Sequence, residues 1–267
     1  YITPRYDSPK YLNEILDICD KEKVDIIFPC TDHEIFPLSK HKKDFEGKGI
    51  KVIISPYDTI QLCRDKWLCF KRVKNKLPFV QSFDDIEEAA DFGFPLIIKP
   101  RLGWGTREIY RVDNIDEARV LFKRVEDPVI QKYLDGKEYT IDTLTDKEGN
   151  FVHASVRERI KTMGGLSAIG RTVQDEEIFN IAKNIPKQIN IIGPFNFQVR
   201  KSKKAEIFEI NARFAGTGIL SVHAGFNLPA LAVKNFMGEE IPDIHIQDNF
   251  YLTRYEEGIY LNKEDLL

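Results

Sequence analysis

The sequence predicts an α/β plus α+β protein, with a partial parallel α/β unit at residues 1–64 and two α+β units at 65–133 and 134–267. Two observations support this fold class. In the first unit, helix-forming stretches alternate with short apolar strands, and this order favours a parallel sheet covered by helices. From Val80 onwards, closely spaced strands are separated by turn residues, which is typical of an antiparallel sheet.

The first unit is predicted to contain two helices and two short strands. The predicted order is helix 11–23, strand 25–30, helix 33–45 and strand 49–55, with Thr31 and Asp32 as candidate caps of the second helix. No G-x-G-x-x-G turn occurs in this unit, so a dinucleotide site is not expected. The whole sequence also lacks the G-x-x-x-x-G-K-[ST] motif of P-loop proteins.

The two later units are predicted to consist mainly of strands. The predicted elements are helix 65–76, strands 95–100 and 109–112, helix 116–124, strands 129–133, 139–145 and 151–156, helix 176–188, strands 194–200 and 205–210, and helix 229–237.

Composition excludes several classes of protein. With 39 basic and 42 acidic residues the net charge is −3, which gives no electrostatic case for nucleic-acid binding. Apolar runs are too short for a membrane span, and no signal peptide opens the chain. The cysteines lack zinc-site spacing, so we expect buried free thiols in a reducing, cytoplasmic compartment. These cysteines are Cys19, Cys30, Cys63 and Cys69.

The first candidate for chemistry is the stretch 96–107 (LIIKPRLGWGTR), in which an apolar strand leads to Lys99 and then to a loop with two glycines. Glycine has no Cβ, so the N–H groups of such a loop can approach phosphate oxygens, and a nearby lysine neutralises charge. The pattern therefore fits a phosphate site, although a strand followed by a glycine turn is also typical of an ordinary hairpin.

The second candidate is the stretch 129–138 (VIQKYLDGKE). The edge of this strand can bind an adenine through its backbone, and an acid seven residues after Gln131 can reach ribose hydroxyls. A strand that ends in an Asp-Gly turn gives the same pattern without any such function.

The third candidate is the most specific. The sequence FNFQV, with Gln198, is followed one hairpin later by FEINAR, with Glu209, Asn211 and Arg213. Because side chains alternate along a strand, Glu209 and Asn211 share one face, and Gln198 on the neighbouring strand can face them. Their oxygens suit Mg²⁺, and Arg213 can hold a transferring phosphoryl group. An exposed polar strand face is the alternative.

In their order and spacing these segments resemble the ATP-grasp superfamily. They more closely resemble the ATP-binding halves of the carbamoyl-phosphate synthase large chain and the related small carboxylate–amine ligases. The resemblance covers nearly the whole chain and includes Asp65-Lys66. Residues 1–64 look like the end of the family's preceding α/β domain without its first strand. Since the chain begins with Tyr1 rather than Met, we expect its true start to lie upstream.

The resemblance implies an ATP-grasp fold, in which two subdomains clasp ATP, and a role for each matched residue. Lys66 and Lys99 would contact the ATP phosphates, and Arg213 would steady an acyl phosphate. Glu108 departs from the family, whose flap commonly carries another glycine there. The other implied contacts are the phosphate flap Gly103, Gly105 and Thr106, the adenine hinge Gln131, Lys132, Tyr133 and Leu134, the ribose-binding Glu138, and the ligands of Mg²⁺ (or Mn²⁺) Gln198, Glu209 and Asn211.

A basic run, RERIKTMGG, follows the strand that begins at residue 151 and contains Arg157, Arg159 and Lys161. Guanidinium groups suit a substrate carboxylate, because they can donate two parallel hydrogen bonds to it. Related small ligases have a similar R-x-R-x-K-T-x-G-G run. A charged strand whose arginines face solvent is the alternative.

The expected function is an ATP-dependent ligase that activates a carboxylate as an acyl phosphate for attack by an amine, with release of ADP and phosphate. Lys99 and Arg213 are the expected catalytic residues, acting through position and charge. The expected partners are small-molecule carboxylate and amine substrates, with neither nucleic acid nor membrane. The sequence is compatible with a homo-oligomer.

Three alternatives remain at this point. The chain could be a detached half of a carbamoyl-phosphate synthase that acts on bicarbonate or carbamate. It could be a non-catalytic sensor subunit that binds ATP without turnover, although such a subunit does not require the metal set or Arg213. An NAD-type oxidoreductase is disfavoured by the missing glycine fingerprint.

Overall fold

The computed structural model describes residues 1–103 and 108–262. Its first part contains a two-stranded parallel sheet and four helices, as the alternating pattern predicts. The elements are α1 (Tyr11–Glu22), β1 (Ile26–Ile27), α2 (Ile35–Lys40), α3 (Lys42–Glu46), β2 (Lys51–Val52) and α4 (Tyr57–Arg64).

The first part differs from the sequence prediction in four ways. The expected helix 33–45 is divided at His41, whose backbone leaves the helical region (φ −106°, ψ 16°). Helix α4 was not predicted, and both strands are shorter than expected. The predicted cap Asp32 does not cap α2, which begins after Glu34 without a side-chain cap, because the Asp32 carboxylate instead binds Arg213.

Asp65 determines where the next helix, α5 (Lys66–Val73), begins. One carboxylate oxygen accepts hydrogen bonds from the N–H groups of Trp67 and Leu68, as a typical N-cap does. The same carboxylate forms an ion pair with Arg101 at 2.6 Å. Lys66 is therefore held at the first position of the helix, beside the strand that carries Lys99.

A four-stranded antiparallel sheet follows, with strand order β3-β6-β4-β5. Two helices pack against it over an apolar core that includes Leu96 and Ile98. Because side chains alternate along the strand, Ile97 and Lys99 point to the other side of the sheet. The elements are β3 (Ser82–Phe83), α6 (Ile86–Phe92), β4 (Leu96–Pro100), β5 (Tyr110–Val112), α7 (Ile115–Arg124) and β6 (Pro128–Lys132).

The largest sheet has six antiparallel strands in the order β11-β10-β7-β8-β9-β12. Its elements are β7 (Lys137–Thr145), β8 (Phe151–Met163), β9 (Leu166–Val173), α8 (Glu176–Asn184), β10 (Pro194–Lys201), β11 (Ala205–Asn211), α9 (Ile219–His223), α10 (Leu228–Met237) and β12 (Tyr251–Thr253). One apolar core runs from the first part of the chain into this sheet, so that Ile54 and Ile60 belong to the same cluster as Phe197 and Ile207.

The chain passes into and out of the four-stranded sheet at neighbouring places. On the way in, the N–H of Val80 donates to the carbonyl of Ile207 on β11. On the way out, the N–H of Lys132 donates to the carbonyl of Gln81. The two connections are thus hydrogen-bonded to each other, and the first is also bonded to the six-stranded sheet.

Three of the four cysteines are buried free thiols, as expected, but Cys30 is exposed. Burial raises the pKa of the Cys63 thiol to about 12. Within residues 1–103 and 108–262, no helix has the length and apolar character that crossing a membrane would require.

Candidate functional site

The two larger sheets face each other across a cavity of about 390 Å³. This volume lies within the usual range for small-molecule sites. Eleven of the residues singled out from the sequence line it: Lys66, Lys99, Gly103, Gln131, Lys132, Tyr133, Leu134, Glu138, Arg159, Gln198 and Glu209. Other lining residues are Val80, Ile97, Pro100, Ile109, Gly165, Arg200 and Phe208.

Two lysines form the positive side of the cavity. Lys99 is only 5% exposed. Burial lowers the pKa of its ammonium group to about 7, with a further contribution from the nearby charge of Lys66, while Glu209 and Glu138 oppose the shift. Lys66 Nζ lies 3.5 Å from Glu209 Oε1 and donates to the carbonyl of Gly103 at 3.1 Å. One acid therefore balances two buried amines, which suits an additional anion.

A β-bulge brings two consecutive residues of β11 to the cavity. Gln198 pairs with Glu209, but the next residue, Val199, pairs with Ile207, so Phe208 is an extra residue in β11. In a regular strand Glu209 would lie on the same face as buried Ile207. The bulge instead lets both Phe208 and Glu209 line the cavity. Lys99 Nζ lies 5.5 Å from the centre of the Phe208 ring, a cation–π contact.

The donor set fits Mg²⁺ only in company with phosphate oxygens. Glu209 and Gln198 stand directly opposite each other at the cavity, whereas Asn211 pairs with Asn196, to which its amide donates, and does not line the cavity. Across the described residues, no group of three or more His, Cys, Asp or Glu side chains could hold a metal ion by itself. One carboxylate plus amide and phosphate oxygens is a usual Mg²⁺ environment in nucleotide sites.

Glu138 is held between two arginines. Arg200 Nη2 donates to one carboxylate oxygen at 2.7 Å, and Arg159 Nε lies 3.3 Å from the other. Arg159 has a side chain only 6% exposed, and burial lowers the pKa of its guanidinium. Its Nε has no aligned hydrogen bond to any described residue. Its Nη2 donates to the carbonyl of Gly165 at 2.6 Å, and its Nη1 contacts Thr140 Oγ1 at 3.5 Å. Arg159 is thus a buried, partly paired cation at the cavity, and an anionic ligand would add to these contacts.

The stretch 131–134 lines the cavity and is tied to neighbouring strands by side-chain and backbone contacts. The Gln131 side chain donates to Ser82 Oγ, and Lys132 Nζ forms an ion pair with Glu206 at 2.8 Å. The backbone N–H of Tyr133 donates to the carbonyl of Pro95. The side-chain contacts stabilise the connection between the sheets, and the next residues, Tyr133 and Leu134, line the cavity.

The structure does not place Arg157 and Lys161 in the lining of the cavity, so its geometry gives no support to the substrate contacts expected of them. Arg157 is 1% exposed, and its guanidinium donates two hydrogen bonds to Asp142 and one to Thr217. Lys161 is exposed, because pairing of β8 with β9 shifts register between Arg159 and Lys161 and again after Lys161. Regular alternation would place Lys161 on the same face of β8 as Arg159, but alternation does not continue through these register shifts.

Arg213 also lies outside the cavity lining. Its guanidinium binds Asp32, on the loop after β1, and the carbonyl of Phe214. Gly105 and Thr106 fall outside the described residues. Glu108, where the family commonly has glycine, has a φ of 53°, which is a conformation that glycine adopts more easily.

Sequence reasoning missed three residues at or near the site. Arg200 could have been found, because alternation places it on the same face of β10 as Gln198. Phe208 could not, since no residue in FEINAR signals a bulge. Asp32 could not either, since its contact with Arg213 joins residues that are far apart in the sequence.

Comparison with known proteins agrees with this architecture. A family model described as "ATP-grasp in the biosynthetic pathway with Ter operon" matches residues 124–258, about half of the chain. A second, described as "PylC-like, N-terminal domain", matches residues 1–53. The carbamoyl phosphate synthase large chain of Thermoanaerobacter sp. (strain X514) is 26% identical over 90% of this chain. The chain spans only 24% of that relative's length.

Two solved structures share the fold. The biotin carboxylase of Campylobacter jejuni, in a complex titled β-γ-ATP, gives a TM-score of 0.78 at 19% identity and covers 90% of this chain and 61% of its own. The N5-carboxyaminoimidazole synthetase of Staphylococcus aureus, complexed with ADP, gives a TM-score of 0.70 at 20% identity. The match covers 92% of this chain and 68% of the synthetase.

The predicted combination of a parallel unit with two α+β units around a cavity is confirmed as an ATP-grasp fold. Since the family match extends over about half of the residues and both neighbours share the architecture, the chain belongs to the ATP-grasp family.

Proposed function

We propose that the protein is an ATP-dependent, ADP-producing ligase that joins a carboxylate to an amine through an acyl phosphate. The observation that carries this proposal is the charge arrangement of the cavity, where Lys66 and Lys99 face Glu209 and Gln198. Two buried amines with one acid favour a polyphosphate. In this proposal residues 65–133 and 134–267 are the two subdomains that clasp ATP, and residues 1–64 are a partial α/β domain.

Each lining residue has a role in this proposal. Lys66 and Lys99 bind the phosphates, the backbone from Gln131 to Leu134 binds adenine, and Glu138 accepts hydrogen bonds from the ribose. Glu209 and Gln198 hold Mg²⁺, with Asn211 further along the same strand. When bound, Mg²⁺ supplies positive charge that offsets the charge of the phosphates.

In the first chemical step, a carboxylate oxygen attacks the γ-phosphorus, and the bond from that phosphorus to the β–γ bridging oxygen breaks, so ADP leaves. The nitrogen of an amine then attacks the acyl carbon, the bond from this carbon to the phosphate oxygen breaks, and the proton lost from nitrogen leaves with the phosphate. Arg159 is the proposed contact for the carboxylate, because it is an incompletely paired cation at the cavity. Arg213 is the proposed contact for the transferred phosphoryl group. Both steps depend on positioning and charge, and neither needs a nucleophile from the protein.

One observation favours bicarbonate as the carboxylate. The relative reported above is a carbamoyl phosphate synthase, and one of the structural neighbours is an N5-carboxyaminoimidazole synthetase. Both names, carbamoyl and N5-carboxy, denote a one-carbon group at the oxidation level of bicarbonate that is attached to nitrogen. A chain that covers a quarter of the synthase's length would act there as one half beside partner chains.

ADP release tests the proposal. The protein is incubated with MgATP and a panel of amino acids, dipeptides and bicarbonate, each alone and with ammonia or a second amino acid. The proposal requires at least one pair to stimulate ADP release, and Lys99→Met to abolish the stimulation. Lys203→Met is the control, because Lys203 is exposed in the turn between β10 and β11. Binding of MgATP without any substrate-dependent ADP release would favour a sensor subunit instead.

A further inference from the structure

An ion pair joins the first part of the chain to the end of the strand that carries Glu209. Arg213 Nε donates to Asp32 Oδ1 at 2.7 Å, and Arg213 Nη2 donates to Asp32 Oδ2. The two side chains are 15% and 20% exposed, so the pair is largely withdrawn from solvent. Asp32 lies on the loop that follows β1, at the carboxyl end of the parallel sheet, which is where open α/β sheets place functional residues.

The contact fixes the orientation of the guanidinium without using all its donors. A guanidinium has five N–H groups in a rigid, planar arrangement. Asp32 accepts from two of them, and the carbonyl of Phe214 accepts from one on Nη1 at 2.8 Å. One N–H on each Nη atom has no partner within the described ranges. Such a pair of donors can bind two oxygens of a phosphoryl group.

The loop that carries Asp32 is held in place by contacts of its neighbouring residues. The N–H groups of Cys30 and Thr31 both donate to Glu34 Oε1, which anchors the loop from within. The ring centroids of Phe28 and Phe214 lie 5.7 Å apart. This contact joins the segment before Asp32 to the residue after Arg213. The carboxylate therefore approaches Arg213 from a supported position, which is the condition under which one side chain can orient another.

We propose that Asp32 is a positioning residue for phosphoryl transfer, which orients Arg213 so that its remaining N–H groups face the phosphoryl group of the acyl phosphate. This inference rests on the proposed function. It gives the first part of the chain an effect on phosphoryl transfer, because one residue of that part determines the orientation of a cation that follows the strand proposed to bind Mg²⁺.

The rival explanation is an ion pair that only holds the two parts together. Such a pair would change stability when broken, and it would have no selective effect on transfer. The two explanations differ in the maximum rate of a partial reaction. In that reaction an oxygen of the ADP β-phosphate attacks the phosphorus of an acyl phosphate, the bond from this phosphorus to the acyl oxygen breaks, and ATP and a carboxylate result.

The experiment measures ATP formed from MgADP with carbamoyl phosphate or acetyl phosphate. Asp32→Asn should lower kcat by about tenfold or more while the KM for MgADP stays within about twofold, because the nucleotide contacts are unchanged. Asp32→Glu, which keeps the charge, should give an intermediate kcat. The matched control is Asp20→Asn, which removes an exposed ion pair with Lys48 in the same part of the chain.

A second arm combines Asp32→Asn with Arg213→Ala. If Asp32 acts through Arg213, the double variant should be no slower than Arg213→Ala alone, since effects that share one route do not add. A further tenfold loss in the double variant would overturn the proposal. So would parental kcat in Asp32→Asn.

A measurement that does not depend on turnover completes the test. The ¹⁵N–¹H resonance of Arg213 Nε is identified by its loss in Arg213→Lys. It should be sharp in the parent and in Asp20→Asn, and shifted or broadened by exchange in Asp32→Asn. An unchanged resonance in Asp32→Asn would overturn the positioning role whether or not the protein makes ATP. If the parent makes no ATP from either acyl phosphate, the ligase function fails and the role in transfer fails with it.

Discussion

The titration of Lys99 leads to a quantitative prediction for nucleotide binding. Its pKa of about 7 in the free protein means that the ammonium is largely deprotonated at pH 8.5. A bound polyphosphate favours the protonated form, so binding must take up a proton in this range. If the bound lysine titrates near its ordinary value, the nucleotide affinity follows the protonated fraction of the free protein. That fraction falls about 25-fold between pH 6.5 and 8.5, which corresponds to about 1.9 kcal/mol.

Isothermal titration calorimetry can measure both consequences. Affinity for ATP, with Mg²⁺ in excess, should decrease about 25-fold over this range. Repeating the titration in buffers with different ionisation enthalpies should show uptake of almost one proton per nucleotide at pH 8.5 and of about a quarter of a proton at pH 6.5.

Two variants isolate the lysine responsible. Lys99→Met should bind weakly with no pH slope and no proton uptake, whereas Lys203→Met should behave like the parent. Other charged groups at the cavity include Lys66, Glu138 and Glu209, so Lys66→Met is included to show that the slope survives its loss. A parent affinity that is independent of pH, or an equal slope in Lys99→Met, would refute the reasoning.

Four further predictions follow from the same geometry. Glu209→Gln should raise the Mg²⁺ concentration needed for nucleotide binding at least tenfold, because it removes the one carboxylate of the proposed set; an unchanged Mg²⁺ titration would place the metal elsewhere. Arg213→Ala should lower turnover about a hundredfold, or about 3 kcal/mol, with little change in ATP affinity; parental turnover would remove its role in transfer. Arg157→Leu should lower the free energy of unfolding by about 3–5 kcal/mol in denaturant titrations, because Asp142 remains buried without its partner, and a loss below about 1 kcal/mol would contradict this. The nucleotide-free protein should become more stable as pH rises from about 7 towards 10, because the unfolded chain keeps the Lys99 proton that the folded chain has lost. The melting temperature should therefore rise over this range in the parent and not in Lys99→Met.

Local patterns predicted much of this molecule. Long amphipathic or alternating stretches identified most helices and strands. Short elements such as α6 were missed, because a few apolar residues do not distinguish a short helix from a loop. The roles of the site residues stay predictions, as does the division at residues 64 and 133.

The differences between the expected and the observed positions have a common physical cause in tertiary contacts. Arg157 and Arg159 are two positions apart on β8, so alternation predicts the same face for both, and nothing in RERIK distinguishes them. What separates them is the loop with Thr217, which covers Arg157, while Arg159 borders the cavity. A register shift changes the face on which Lys161 lies, and Asp32 contacts a residue 181 positions further along the chain. Each outcome depends on which distant segment packs against a strand, and spacing within the strand does not contain that information.

The two neighbouring connections of the four-stranded sheet have a mechanical consequence. Because the incoming stretch 78–81 and the outgoing stretch 132–134 are bonded side by side, they can act together as one hinge. A sheet attached in this way can swing about a single axis, but a twist would break the bonds between the connections. The axis would pass close to Leu134, so a small swing would hardly displace a base bound there. Lys99 and Gly103 lie on the swinging part, so a swing would move them relative to the phosphates.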